Sequence, residues 1–147
     1  MVCLYCGKKT SVTNSRLQKN SNQTWRRRKC YSCKSIVTTI EKFQLNSMLT
    51  VIKHNATYEP FSDDKLFVSI LKAIEHLPTP IITARALTDT TLNSITKDKP
   101  LKPQISTKQI ALHTSKVLKN FDAAASIKYL SFQTSLKSSK DVHKSLK

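Results

Sequence analysis

Two short stretches decide how this chain folds: Cys3-Leu4-Tyr5-Cys6 and Cys30-Tyr31-Ser32-Cys33. Each is a Cys-x-x-Cys knuckle, and 23 residues separate Cys6 from Cys30. Two intervening residues let both sulfurs of a knuckle face one ion, and two knuckles at this separation supply four thiolates that close tetrahedrally around Zn²⁺. Gly7 follows the first knuckle, where a tight turn favours it. Structural disulfides fit poorly with a chain read as cytosolic, and a dithiol redox site needs only one pair. An iron–sulfur cluster stays open as an alternative, although the spacings favour zinc. A closed tetrathiolate site has no free coordination position for chemistry.

Outward from the knuckles, residues 1–44 are polar and basic and hold all four cysteines. A segment of about forty residues buries too little surface to fold unaided, so the metal is expected to staple it into a β zinc ribbon. Residues 1–40 contain nine Lys/Arg and no Asp or Glu, within a net charge of +16 for the 147-residue chain. The run Trp25-Arg26-Arg27-Arg28-Lys29 leads directly into Cys30. On a strand its side chains alternate, with Arg26 and Arg28 on one face and Arg27 on the other. Adjacent cations beside a metal knuckle repel one another unless a polyanion neutralises them. Arginine can pair two donors with a phosphate or with guanine, so the run points to nucleic acid.

The rest reads as a second small domain, residues 48–136, followed by a basic tail, residues 137–147. Residues 48–59 (MLTVIKHNATYE) suggest a β-hairpin turning at His54-Asn55-Ala56, without the glycine that usually marks such a turn. From Ser62 the pattern becomes helical. Ser62 suits an N-cap, Asp63 and Asp64 suit the first turn, and Leu66, Phe67, Ile70, Leu71 and Ile74 form an apolar face. Pro78 and Pro80 break this helix. A second is expected from about Thr83 to Thr96, then a linker over residues 97–103. A third begins near Ser106, and a fourth follows Asp122 with Ile127, Leu130 and Phe132 inward. The fold class is thus α+β in two small domains: a β zinc ribbon, then a mainly helical unit with an N-terminal hairpin.

Catalysis is not expected. His54, His76, His113 and His143 are scattered, and one glycine cannot build a Gly-rich phosphate loop. No stretch of 18 apolar residues is available to span a membrane. An N-terminus carrying Cys3 and Cys6 leaves no room for the apolar run of a signal peptide, so a cytoplasmic location is expected.

The order of motifs carries a resemblance. The first knuckle, Asn14-Ser15-Arg16, Arg26-Arg27-Arg28-Lys29-Cys30, Thr38-Thr39-x-Glu41, Val51-Ile52-Lys53 and Glu59-Pro60-Phe61-x-x-x-Lys65-Leu66 follow one another as in the NrdR family. This family of bacterial repressors of ribonucleotide reductase genes joins a zinc ribbon to an ATP-cone. The resemblance covers about residues 1–136. It implies double-stranded operator DNA as partner, gripped by Arg16, Arg26, Arg27, Arg28 and Lys29. It implies ATP or dATP as regulatory ligands, held by Val51, Lys53, His54, Glu59 and Lys65. It also implies a homo-oligomer acting at the nucleoid of a bacterial cytoplasm. The chain departs from the family at the turn, where Lys-Arg-x-Gly becomes Lys53-His54-Asn55-Ala56. It departs again near the end, where Ser126 and Gln133 stand at two tyrosine positions and Lys128 at an arginine. A rival reading follows from these departures: a constitutive zinc-ribbon nucleic-acid-binding protein whose cone no longer senses nucleotide.

Overall fold

A computed structural model of the chain describes residues 1–19, 23–97 and 103–133. The expected tail at 137–147 lies outside them. The chain divides into two compact units, Met1–Phe43 and Gln44–Lys147, each taken in turn.

The first unit is an antiparallel sheet of β1 (Thr10–Gln18), β2 (Gln23–Cys30) and β3 (Ile36–Glu41), in that order. The first knuckle precedes β1, and the second forms the turn between β2 and β3. The central strand β2 pairs Arg26 with Ser15 on β1 and with Thr39 on β3, and its neighbour Arg27 pairs with Asn14 and Thr38. A bulge between Val12 and Asn14 shifts the β1–β2 register, with the Thr13 hydroxyl donating to the Arg27 carbonyl at 3.1 Å. Because residues directly opposite share a face, one face carries Arg26 and Arg28, and the other Trp25, Arg27 and Lys29.

The second unit opens with a 3₁₀ turn (Leu45–Ser47) whose Leu45 is buried. The hairpin follows as β4 (Thr50–Ile52) and β5 (Tyr58–Pro60). Four helices are described: α1 (Asp63–Ile74), α2 (Pro80–Lys97), α3 (Thr107–Phe121) and α4 (Ala123–Phe132). Ser62 caps α1, its hydroxyl accepting from the Lys65 N–H. Ser106 and Gln109 make a reciprocal capping box on α3, and Asp122 accepts from the Ala124 and Ala125 N–H groups at the start of α4. The core joins Leu49, Val51 and Phe61 to Leu66, Ile70, Ala73 and Ile74 of α1, Ala84, Leu87 and Ile95 of α2, Leu118 of α3, and Tyr129 and Leu130 of α4.

Two expectations need correction, and one strand was not foreseen. Between the linker and the third helix, Gln104–Ser106 forms β6, parallel to β4, giving the sheet order β5-β4-β6. Only Ile105 is apolar and buried there, so the strand exists through pairing with a segment some fifty residues away rather than through local pattern. The second helix starts at Pro80, not Thr83, because proline's fixed φ suits a first helical position that needs no N–H. On α4 the inward residues are Ala125, Ser126, Tyr129 and Leu130, whereas Ile127 and Phe132 are exposed. The reading by hydrophobicity alone missed the rotation that buries the small side chains against α3.

The hairpin turn places Ala56 at φ 59°, with its N–H donating to the Lys53 carbonyl at 3.0 Å. Asn55 Oδ1 accepts from the Thr57 hydroxyl at 2.7 Å, completing the turn. A left-handed non-glycine residue costs about 1–2 kcal/mol, and glycine's extra freedom in the unfolded chain returns part of that cost. Ala56→Gly is therefore expected to stabilise the second unit by roughly 0.5–1 kcal/mol in urea unfolding followed by helical circular dichroism. A destabilised variant would show that the turn does not hold this conformation.

Candidate metal centre, basic sheet and cone pocket

The four cysteine sulfurs lie within 4.8 Å of one another. Cys3 Sγ is 3.5 Å from Cys33 Sγ, and Cys6 Sγ is 3.5 Å from Cys30 Sγ. All four are free thiols. With Zn–S bonds near 2.3 Å, a tetrahedral site has S···S edges of about 3.8 Å, so the observed cluster fits a tetrathiolate zinc ion. The two knuckles are built alike. Gly7 (φ 68°) follows Cys6, and Lys34 (φ 61°) follows Cys33, each reversing the chain in the left-handed region.

Sequence reading missed Ser35. Its Oγ sits 3.2 Å from both Cys3 Sγ and Cys33 Sγ, bridging the two knuckles. This hydroxyl, then the Tyr5 N–H, draws the Cys3 thiol down to about 6. It also lowers Cys33. Cys6 feels a downward pull from the Lys8 N–H, yet its bond to Cys30, desolvation and the other two sulfurs together push it to about 12. Such a spread is expected of sulfurs crowded together, and a dication at their centre would favour the thiolate at every one of them. Binding releases protons, so acid favours loss of the metal.

The residues expected to meet DNA lie on the adjoining sheet but divide between its faces. Arg26 is held by Glu41, with Nη2 at 2.7 Å and Nε at 3.0 Å from Oε2. Arg28 Nε donates to Thr39 Oγ1 at 3.2 Å. Arg27 and Arg16 are exposed on the opposite face, beside Trp25 and Ile40. Lys29 lies 5.7 Å from the centroid of the Tyr31 ring.

Of the residues expected to meet nucleotide, three come together. Lys53 Nζ and Lys65 Nζ each lie 2.8 Å from Glu59 Oε2. Val51 is buried opposite Glu59 in the hairpin register. His54 is exposed at the turn, outside this cluster. A cavity of about 160 Å³ opens beside the carboxylate, lined among others by Val51, Glu59, Phe61, Lys65, Ile110 and Tyr129. Tyr129 was not anticipated. It is buried, its phenol bonded to Thr114 and Ser69, and burial pushes its pKa up, so it stays a neutral donor. The lysines, Lys53 first, hold the Glu59 carboxyl below its usual range.

A β-ribbon carrying a four-cysteine cluster, followed by a hairpin-and-helix unit with a small pocket beside Glu59, defines the class: a zinc-ribbon protein with a second, mainly helical domain. Residues 1–41 match the family described as transcriptional repressor NrdR-like, N-terminal domain, and residues 49–135 match the ATP cone domain. The transcriptional repressor NrdR of Thermus thermophilus is 34% identical over 132 residues, spanning 89% of this chain and 82% of that protein. The namesake from Bartonella henselae is 33% identical over 97% of this chain and 88% of its own length, and that from Symbiobacterium thermophilum is 29% identical over 89% and 85%. The chain belongs to the NrdR family of transcriptional repressors. It is a regulator rather than an enzyme, and no described helix is long and apolar enough to cross a membrane.

Two outcomes follow from this geometry. Ser35→Ala is expected to weaken zinc binding about tenfold in competition with a chromophoric chelator, because it removes the hydroxyl that lies 3.2 Å from a sulfur of each knuckle. An unchanged affinity would make Ser35 incidental. Glu59 contributes stability above the ordinary carboxylate range that is lost as pH falls through its lowered pKa. Glu59→Gln should therefore flatten the acid-side decline of the second unit's melting temperature, and an unaltered profile would show that the lysine pairs are not coupled to folding.

Proposed function

We propose that the zinc-folded ribbon binds operator DNA, with ribonucleotide reductase genes as targets, and that the cone adjusts this binding to adenine nucleotide supply. The observation that carries the reading is the pairing of two cationic sites in one chain: a basic sheet beside a four-cysteine cluster, and Lys53 and Lys65 converging on Glu59 at the edge of a pocket. Arg16, Arg26, Arg27, Arg28 and Lys29 supply the positive field of the ribbon, and phosphates bound there release counterions. In the cone, an entering triphosphate competes with the Glu59 carboxylate for the two ammonium groups, and the freed carboxylate can accept from an adenine amino or a ribose hydroxyl. Val51 forms part of the pocket wall, and His54 is exposed on the hairpin turn. Nucleotide regulates binding only if it favours the DNA-competent homo-oligomer over the other states. The site of action is the nucleoid in a bacterial cytoplasm.

A second reading, constitutive DNA binding with a cone that no longer senses nucleotide, draws on three features. Lys53 and Lys65 both already have a carboxylate partner, Ala56 stands in a left-handed turn, and Gln133 occupies a pocket-lining position where the family places tyrosine. Titration with dATP separates the two. A sensing cone gives a melting temperature that climbs with the logarithm of dATP concentration beyond saturation. It also gives an oligomer and a gel-shift affinity for the reductase promoter that differ between dATP, ATP and no nucleotide. Identical behaviour in all three conditions would overturn nucleotide control and leave the constitutive reading.

A further inference from the structure

The ribbon contains one carboxylate in its 43 residues, Glu41, and that carboxylate is committed to Arg26 through two hydrogen bonds to the same oxygen. The register puts this pair on the face shared by Thr24, Arg26 and Arg28 of β2 and Val37, Thr39 and Glu41 of β3. Thr39 ties the face together, since its hydroxyl accepts from Arg28 Nε at 3.2 Å and lies 3.4 Å from the Arg26 carbonyl oxygen it donates to. Arg26, Arg28, Val37 and Thr39 are all half-buried.

On the opposite face Arg16, Trp25 and Arg27 are exposed, while Lys29 is half-buried like Arg26 and Arg28. Arg16 faces Trp25 across β1–β2, Trp25 faces Ile40 across β2–β3, and Arg27 sits between Asn14 and Thr38. Trp25 is 42% exposed and Ile40 56%. Arg16, Arg27 and Lys29 bring three cations, and the ribbon's sole carboxylate is on the other side. An open, carboxylate-free surface that mixes guanidinium groups with one indole and a branched aliphatic side chain matches duplex DNA, whose edges offer phosphates, deoxyribose and thymine methyl groups together.

We propose that the two faces of β2 have separate duties. The face of Arg16, Trp25, Arg27 and Lys29 meets the duplex, while Arg26 and Arg28 brace the sheet through Glu41 and Thr39 and leave DNA untouched. This rests on the reading of the ribbon as the DNA-binding unit and narrows it from a run of cations to one face.

The test uses the full-length, zinc-replete protein and a fluorescein-labelled AT-rich duplex, with affinity read by anisotropy across a salt series. Arg27→Gln and Arg16→Gln are each expected to lower affinity on the order of tenfold, and to make the log–log salt slope shallower by about 0.9 for each phosphate no longer neutralised. The exchanged pair Arg26→Glu with Glu41→Arg keeps both net charge and the cross-strand ion pair, and is expected to bind within about twofold of the unsubstituted protein. Should the exchanged protein fail to retain zinc, Arg26→Gln with Glu41→Gln carries the same net charge and the same expectation. An exchanged or neutralised pair that retains zinc but loses affinity as Arg27→Gln does would overturn the division of faces. If the unsubstituted protein ignores the duplex at low salt, the DNA-binding reading itself falls.

Discussion

The ribbon depends on four sulfurs meeting at one point. Among its described residues only Cys3 and Cys30 are fully buried apolar side chains, and both belong to the cluster. Nothing else in the unit removes enough surface from water to offset the entropy of ordering three strands. Strand alternation puts Arg26 and Arg27 on opposite faces, and the register that gives each its cross-strand partners is set where the knuckles anchor the end of β2 and the starts of β1 and β3. Ser35, bonded to a sulfur from each knuckle, lies where the two halves of that anchor join.

The second unit is stabilised by other means. Its core is a continuous apolar cluster, and several hydroxyls enter that cluster without leaving an orphaned donor. Thr88, Thr91 and Thr114 each donate to the carbonyl four residues earlier, at 2.7, 2.8 and 2.8 Å. Ser126 reaches from α4 to the Ser115 carbonyl of α3 at 3.1 Å. Burying a hydroxyl costs little once it is bonded, so small polar residues serve here as close-packing surfaces between helices.

The two units also treat charge differently. In the cone region several cations are matched: Lys53 and Lys65 with Glu59, Lys128 with Glu75 at 2.8 Å, and Arg85 over the Phe67 ring at 4.3 Å. Such pairs at partly exposed positions contribute modestly to stability. The ribbon has one carboxylate for nine cations before it, and its field points outward.

The metal site, the two-unit order, the hairpin and the first helix were legible in the chain because each rests on local spacing: two residues between sulfurs, alternation around a turn, a capped apolar stripe. The convergence of Lys53, Glu59 and Lys65 was legible only through the order of family motifs, and Tyr129 not at all, since a pocket wall drawn from β4, α1, α3 and α4 leaves no periodic trace. The β6 strand escaped for the same reason, its bonds being made to a partner remote in sequence. Composition and spacing determined that a cationic ribbon would form around four thiolates. Pairing register decided which cations stand open and which are tied back, because strand partners, unlike neighbours in the chain, are chosen by the folded whole.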